Sequence, residues 1–307
     1  LYNNSNTSSS KSCCAGIDIE DAKNVALNND FKHIVLDYQD KFFDGVINNF
    51  IESYKNGETP LPCVKCNQTV KFKDLLDEAK NIGADALVTG HYAIRRGSLT
   101  NASLHKAKDN SKDQSFFLFA TLQEQLNYVR FPLGNFKKSE IRKKAKEYEL
   151  KVSDKPDSQD ICFVTSDSYR NLIRNINPES IIKGNIYETN NKIIGKHDGI
   201  ANYTIGQRKG LGVSGFEKPL YVIDINKNQN SITLGSKEKL KKNIINFKNI
   251  NWLGGLIKPS KLECSAKIRS TQEDLPGTLD IKNDSGTFTF HSQIDGTSPG
   301  QACVFYK

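Results

Sequence analysis

Apolar positions along the chain change their spacing after about residue 164, from a helical period to a strand period. The stretch 18–28 opens on Asp18, a capping residue, and repeats apolar residues at Ile19, Ala22, Val25 and Ala26, which predicts a helix. Residues 33–37 form a short apolar run of strand length. Over 40–54, Phe42, Phe43, Val46, Ile47, Phe50 and Ile51 share one helical face. A proline-bearing loop is expected over 59–67, a helix over 72–82 and a strand over 86–89. A lysine-rich helix is expected over 137–148, with Ile141, Ala145 and Tyr148 turned inward. Helix alternating with strand implies a mostly parallel sheet with helices packed on it.

Beyond residue 164 the segments 220–225 and 231–234, separated by a polar turn, predict a hairpin. Short runs at 264–269, 278–281, 287–291 and 302–306, several of them separated by glycine or proline, predict a small antiparallel barrel. The expected division is an α/β domain over 1–164, a central domain over 165–238 and a barrel over 239–307.

At 307 residues the chain can bury more than one core. No apolar run reaches the roughly 18 residues of a membrane span, and the serine-rich start lacks a signal-peptide core. A cytoplasmic protein without a membrane partner is expected. The formal charge of +8 favours a polyanionic partner, since each neutralised phosphate releases counterions. Seven cysteines, an odd count, argue against a disulfide scaffold and for catalytic, metal-binding or buried thiols. The chain begins at Leu1, contains no methionine and opens its alternation on a helix. The expectation is that a leading strand and the protein's first residues lie upstream.

Cys63 and Cys66 form a C-x-x-C pair, half of a zinc site or a thiol-transfer pair. No second C-x-x-C exists to complete a four-cysteine site, and Lys65 and Lys71 stand close enough in sequence to lower a thiol pKa. Cys162 lies between Ile161 and Phe163, the setting of a buried core residue more often than of a nucleophile. Cys264 and Cys303 lie on expected strands and read as packing residues. Cys13 and Cys14 stand in a polar segment without an assigned role. Gly90 and His91 follow a strand at its carboxyl end, where open α/β sheets bind ligands. Lys112-Asp113-Gln114 and the glycine-rich 206–212, with Arg208 and Lys209, offer cations and exposed amides suited to phosphate.

These segments together resemble one family. TPLPCVKCN at 59–67, VKFKDLL at 70–76, GADALVTGHY at 83–92, KDQSFFL at 112–118, DSQDICF at 157–163, GQRKGLG at 206–212 and SPGQACVFY at 298–306 stand in the order found in tRNA-specific 2-thiouridylases, the MnmA/TrmU family. The resemblance implies an α/β fold: an adenine-nucleotide α-hydrolase-like parallel-sheet domain, here N-terminally incomplete, then a small central domain and an antiparallel β-barrel.

It also implies a reaction. ATP, with Mg2+, adenylates the C2 oxygen of the wobble uridine of tRNA, and a cysteine persulfide loaded by a sulfur-relay donor protein supplies the sulfur. On this resemblance Cys162 carries the persulfide and Cys66 is the second thiol, which attacks it or resolves it as a disulfide. Leu61, Pro62 and Cys63 approach the target base, and Gly90 touches ATP. His91, Lys112, Asp113, Gln114, Arg269, Ser270 and Gln301 contact tRNA. Many relatives carry Asn-Pro-Asp where this chain has Leu61-Pro62-Cys63, so the resemblance does not carry a carboxylate acid or base over to this position. The family's Ser-Gly-Gly-x-Asp-Ser pyrophosphate loop does not occur in these residues, and its expected place is upstream of Leu1. A truncated tRNA-binding paralogue without adenylation is the alternative, and a zinc-stabilised RNA-binding module a third reading resting on Cys63 and Cys66 alone.

Overall fold

The computed structural model describes residues 16–155, 161–164, 168–253 and 258–307. Cys13, Cys14 and the 157–160 part of the DSQDICF motif lie outside the described residues. The chain divides into two compact units, the first made of Leu1–Ile47, Pro62–Asp167 and Asn251–Leu256, the second of Asn48–Leu61, Ser168–Ile250 and Ile257–Lys307.

The expected helix at the start is α1, Gly16–Asn28. Residues 31–38 have no regular structure, where a strand was expected. A strand needs a neighbour for its backbone groups, and Ile34 and Val35 point largely into solvent instead. The helical run that follows is α2, Gln39–Phe42, a π-helical stretch Phe43–Asn48, and α3, Asn49–Lys55. Phe42, Val46 and Ile47 are buried as the spacing predicts, whereas Phe43 is only half-buried. The π turn adds a residue and shifts the face.

Residues 59–67 are not a loop throughout: Pro62–Cys66 is helix α4. Pro62 sits at the first helical position, where its missing N–H costs nothing and its fixed φ suits the helix. A second π-helical stretch, Asn67–Asp74, leads into α5, Leu75–Asn81. Next come β1, Leu87–Val88, then β2, Ile94–Gly97, and β3, Ala102–His105, paired as a hairpin. After α6, Gln123–Tyr128, strand β4, Val129–Arg130, pairs in parallel with β1. Phe72, Leu76, Ala93, Leu118 and Leu126 form the core of this unit, and Leu253 packs against it. Asn251 Nδ2 donates to the Phe119 and Thr121 carbonyls, at 2.6 and 2.8 Å. The lysine-rich helix α7, Lys138–Glu147, fully buries no side chain: Ile141 and Ala145, expected inward, are half-buried, whereas Tyr148, also expected inward, is 71% exposed.

The second unit, to which α3 belongs, continues with α8, Tyr169–Ile176. Four strands follow: β5, Gly184–Glu188; β6, Ile193–His197; β7, Tyr221–Asn226; and β8, Ser231–Gly235. Their order is β6-β5-β8-β7, with β7 and β8 the expected hairpin and β5 parallel to β8. The expected antiparallel sheet consists of β9, Lys242–Lys248; β10, Lys261–Lys267; β11, Leu275–Lys282; β12, Ser285–Ile294; and β13, Val304–Tyr306. Its order is β13-β10-β11-β12-β9. Asn283 takes φ 56° in the two-residue turn between β11 and β12, a conformation asparagine tolerates. Leu279, Phe288 and Phe290 are buried on this sheet. No helix among the described residues is long and apolar enough to cross a membrane.

Candidate active site

Helix α4 puts Cys63 and Cys66 one turn apart, with Cys63 exposed and Cys66 buried at 9% exposure. Ahead of them Leu61 is half-buried and Pro62 buried. Lys71 does act on Cys63 as the sequence suggested, but the surrounding protein desolvates the thiol more strongly, and its pKa is raised rather than lowered. Directly after Cys66 the helix widens. The Thr69 hydroxyl donates to the Lys65 carbonyl at 2.8 Å, an acceptor the α-helical ladder would otherwise use. Asn67 Nδ2 donates to the Phe117 carbonyl at 3.1 Å, while its buried Oδ1 has no hydrogen-bond partner among the described residues.

Cys162 lies in a turn and is half-buried; it is not a core residue. Its neighbour Phe163 is, at 2% exposure, with its ring edge-on to Phe42 at 5.8 Å. Phe42 ends α2, and three residues later Gly45 abuts the Thr69 side chain, where an added Cβ would stand 3.2 Å from Oγ1. The two candidate thiols are therefore tied to one helical layer, Cys162 through Phe163 and Phe42, Cys66 through the turn carrying Thr69. All five described cysteines are thiols, so the expected Cys66–Cys162 disulfide is not formed in this structure. Among the described residues no group of three or more His, Cys, Asp or Glu gathers to hold a metal ion, which leaves the zinc reading without a ligand set there.

Gly90 follows β1, is exposed, and has an ordinary backbone conformation. A Cβ added there would meet only Leu133 Cδ1, at 3.8 Å. The protein's own packing does not demand glycine at this position. His91 Nδ1 shares a hydrogen bond with Thr89 Oγ1 at 2.9 Å, and its ring lies against the rings of Phe72 and Phe131. Burial, then the charge of Lys71, lowers its pKa to about 3. The imidazole is neutral at physiological pH and offers a hydrogen bond, not a cation, to any ligand.

That pKa has a stability consequence. Between about 3 and the ordinary 6.5 the unfolded chain takes up a proton that folded His91 refuses. The stability is therefore fully present above pH 6.5 and lost as pH falls towards 3. The expected loss from pH 7 to pH 5 is about 2 kcal/mol. Urea unfolding at the two pH values measures it, and His91→Asn should flatten the dependence. An equal slope in wild type and variant would assign the acid sensitivity elsewhere.

The Lys112-Asp113-Gln114 segment is held by its own side chains. Asp113 Oδ1 accepts from the Ala107 and Ser115 amides at 2.9 and 3.2 Å, and Oδ2 accepts from Ser115 Oγ at 2.7 Å. Gln114 Oε1 accepts from the Tyr92 amide at 2.8 Å. Asp113 and Gln114 thus build the turn that presents Lys112.

In the second unit, exposed Arg269 donates to the Gly296 carbonyl, and Ser270 is half-buried. Gln301 Nε2 donates to the Thr59 carbonyl at 2.9 Å, and the Thr59 amide donates to the Pro299 carbonyl at 2.7 Å. Gly300 between them takes φ +85°, and a Cβ there would lie 2.9 Å from Glu58 Cβ. Gln301, expected as an RNA contact, holds the segment that runs by sequence into Leu61-Pro62-Cys63. Cys264 and Cys303 are pushed up to about 11 and about 12, chiefly by burial, and remain protonated packing residues as expected. Sequence reasoning missed Phe163 as the anchor of Cys162, although an aromatic beside a half-buried cysteine is a readable signal. It also missed the π turn after Cys66, which carries none.

Three family models cover the chain. Residues 1–166 match the tRNA methyl transferase HUP domain, 170–236 the tRNA methyl transferase PRC-barrel domain, and 242–307 the aminomethyltransferase beta-barrel domain. Among curated proteins, a tRNA-specific 2-thiouridylase MnmA of Ehrlichia ruminantium (strain Welgevonden) is 47% identical over 100% of this chain and 83% of its own length. The protein of the same name from Orientia tsutsugamushi (strain Boryong) is 48% identical over 100% and 84%. That from Rickettsia canadensis (strain McKiel) is 50% identical over 96% and 80%.

Proposed function

This chain belongs to the tRNA-specific 2-thiouridylase (MnmA/TrmU) family, and on that premise we propose that it is a cytoplasmic sulfurtransferase that thiolates the wobble uridine of tRNA at C2 with ATP. The observation that carries the reading is the pair Cys66 and Cys162, two thiols tied to one helical layer through Phe163, Phe42, Gly45 and Thr69. A transferred sulfur needs one thiol to hold it and another to release it.

The uridine C2 oxygen attacks the α-phosphorus of ATP, accompanied by Mg2+, and pyrophosphate leaves. The outer sulfur of a Cys162 persulfide, loaded by a sulfur-relay donor protein, attacks C2 and AMP leaves. The Cys66 thiolate attacks Cys162 Sγ, the bond between that atom and the transferred sulfur breaks, and its electron pair stays on the base as 2-thiouridine. A Cys66–Cys162 disulfide results, which a thiol reductant returns to two thiols.

In this reading Gly90 takes the nucleotide, because an open Cβ position leaves room for a ligand. Leu61, Pro62 and Cys63 take the base. Lys112, Arg269 and Ser270 reach tRNA directly and neutral His91 by a hydrogen bond, while Asp113, Gln114 and Gln301 fix the backbone around such contacts. The domain limits we assign are 1–164, 165–238 and 239–307. The test is to incubate the intact protein with unmodified tRNA, a persulfide donor and ATP, and to analyse the wobble nucleoside. ATP-dependent 2-thiouridine is expected. Binding of tRNA with no 2-thiouridine would favour the non-adenylating paralogue.

A further inference from the structure

The glycine-rich segment between the 3-10 turn Ile200–Asn202 and β7 has no role in the chemistry above. Four of its glycines, 206, 210, 212 and 215, have φ between +68° and +85°. At Gly206, Gly212 and Gly215 an added Cβ would meet nothing within 4 Å, and at Gly210 only Arg170 Nη1, at 3.7 Å. Packing does not require these glycines; the shape of the backbone does.

That shape is pinned. The Gly206 amide donates to the Val222 carbonyl at 2.8 Å, and the Val222 amide returns a bond to the Gln207 carbonyl at 3.0 Å. Gln207 Nε2 donates to the Lys209 carbonyl at 2.9 Å, and Leu211 is buried in the core formed with Ile186, Val222 and Ile232. Between these anchors Arg208 and Lys209 are exposed, as is Lys218 further on. Residues 208 and 210–220 line a groove of about 480 Å³, with Phe216 38% exposed on it. Arg208 and Lys218 line the groove with one carboxylate, Glu217, while exposed Lys209 adjoins Arg208 in sequence and Arg170 Nη1 lies by Gly210. A second carboxylate, the fully exposed Glu238, feels the charge of Lys218 from outside the lining.

Cations on a pre-shaped loop beside an exposed aromatic ring match the two faces of a nucleotide strand: phosphates for the charges and a base for the ring. We propose that residues 206–218 form an RNA-strand site, in which Arg208, Lys209 and Lys218 take backbone phosphates and Phe216 stacks on a base. The site rests on the tRNA-modifying reading and extends it to a contact surface apart from the residues assigned to tRNA above. Because the loop is already ordered by its own hydrogen bonds, binding loses little to ordering it.

The experiment measures affinity of the intact protein for unmodified tRNA across a salt series, with inorganic pyrophosphate as a competing probe. Arg208→Ala/Lys209→Ala/Lys218→Ala should weaken binding at least about tenfold at physiological salt and lower the log–log salt slope by about 2. Phe216→Ala should weaken it several-fold with the slope unchanged. All four side chains are exposed, so the thermal unfolding of both variants should match wild type. A triple variant with wild-type affinity and slope would overturn this inference while leaving the thiolation reading intact. Pyrophosphate binding that depends on Arg208, with tRNA affinity unaltered, would overturn it in favour of a small phosphate ligand. No tRNA binding by the unaltered protein would overturn both.

Discussion

Replacing Cys162 by serine is expected to bring 2-thiouridine formation to background, a loss of at least about a thousandfold, with tRNA affinity essentially unchanged. A serine hydroxyl cannot accept or hold a sulfane sulfur, so the loss is in chemistry. Binding is spared because the anchor of this turn is Phe163, packed edge-on against Phe42, not the thiol. Cys66→Ser should be equally inactive but for another reason. Here the persulfide still forms and still attacks the base, and no thiol remains to break the sulfur–sulfur bond. A tRNA–protein adduct joined through Cys162 and released by reductant is then expected on a denaturing gel. Cys303→Ser is the control: its thiol, with a pKa pushed up to about 12 by burial, is a poor nucleophile at neutral pH. That variant should change stability and leave turnover in place. Full activity in Cys162→Ser, or an adduct in Cys162→Ser and none in Cys66→Ser, would reverse the assigned roles.

Gly134→Ala is expected to cost roughly 3 kcal/mol or more and to leave much of the first unit unfolded at 37 °C. An added Cβ would lie 1.8 Å from the Ala93 carbonyl oxygen and 2.5 Å from its carbon. Ala93 is fully buried between Tyr92 and Ile94, so the obstacle is backbone in a packed core and cannot swing aside. The Gly134 carbonyl also accepts from the Lys108 amide at 2.9 Å, which holds the other side of the contact. Gly90→Ala is the matched comparison, since its new Cβ meets only Leu133 Cδ1, at 3.8 Å. Its stability should stay within about 0.5 kcal/mol of wild type, while ATP binding weakens. Urea midpoints for the two variants measure the contrast, and equal midpoints would contradict it.

The second unit was the more legible in sequence. Strand alternation survives translation into structure because every other residue of β11 and β12 faces one side. The polar turn between 225 and 231 also announces itself by residue type. The first unit is less legible, for three separate reasons. Residues 33–37 have strand composition, but composition supplies no pairing partner. Pro62 marks a loop in sequence, although at the first helical position it starts α4. The π turns depend on particular bonds, such as Thr69 to the Lys65 carbonyl, that leave no periodic trace.

The candidate thiols were legible only through their motifs, and their common support on the layer of Phe42 and Thr69 was not. Gln301 shows the limit most clearly. The motif names the residue, but its hydrogen-bond partner Thr59 lies 242 positions earlier in the chain, and no local pattern records that.

Whether the sulfur reaching tRNA is first carried on Cys162 is decided by a single-turnover transfer. The intact protein is loaded with labelled persulfide, freed of excess donor, and mixed with unmodified tRNA and ATP in the presence of unlabelled sulfide. Labelled 2-thiouridine is expected to appear in proportion to the label lost from Cys162, with Cys66 and Cys162 recovered as a disulfide. Unlabelled 2-thiouridine formed while the label stays on the protein would contradict it.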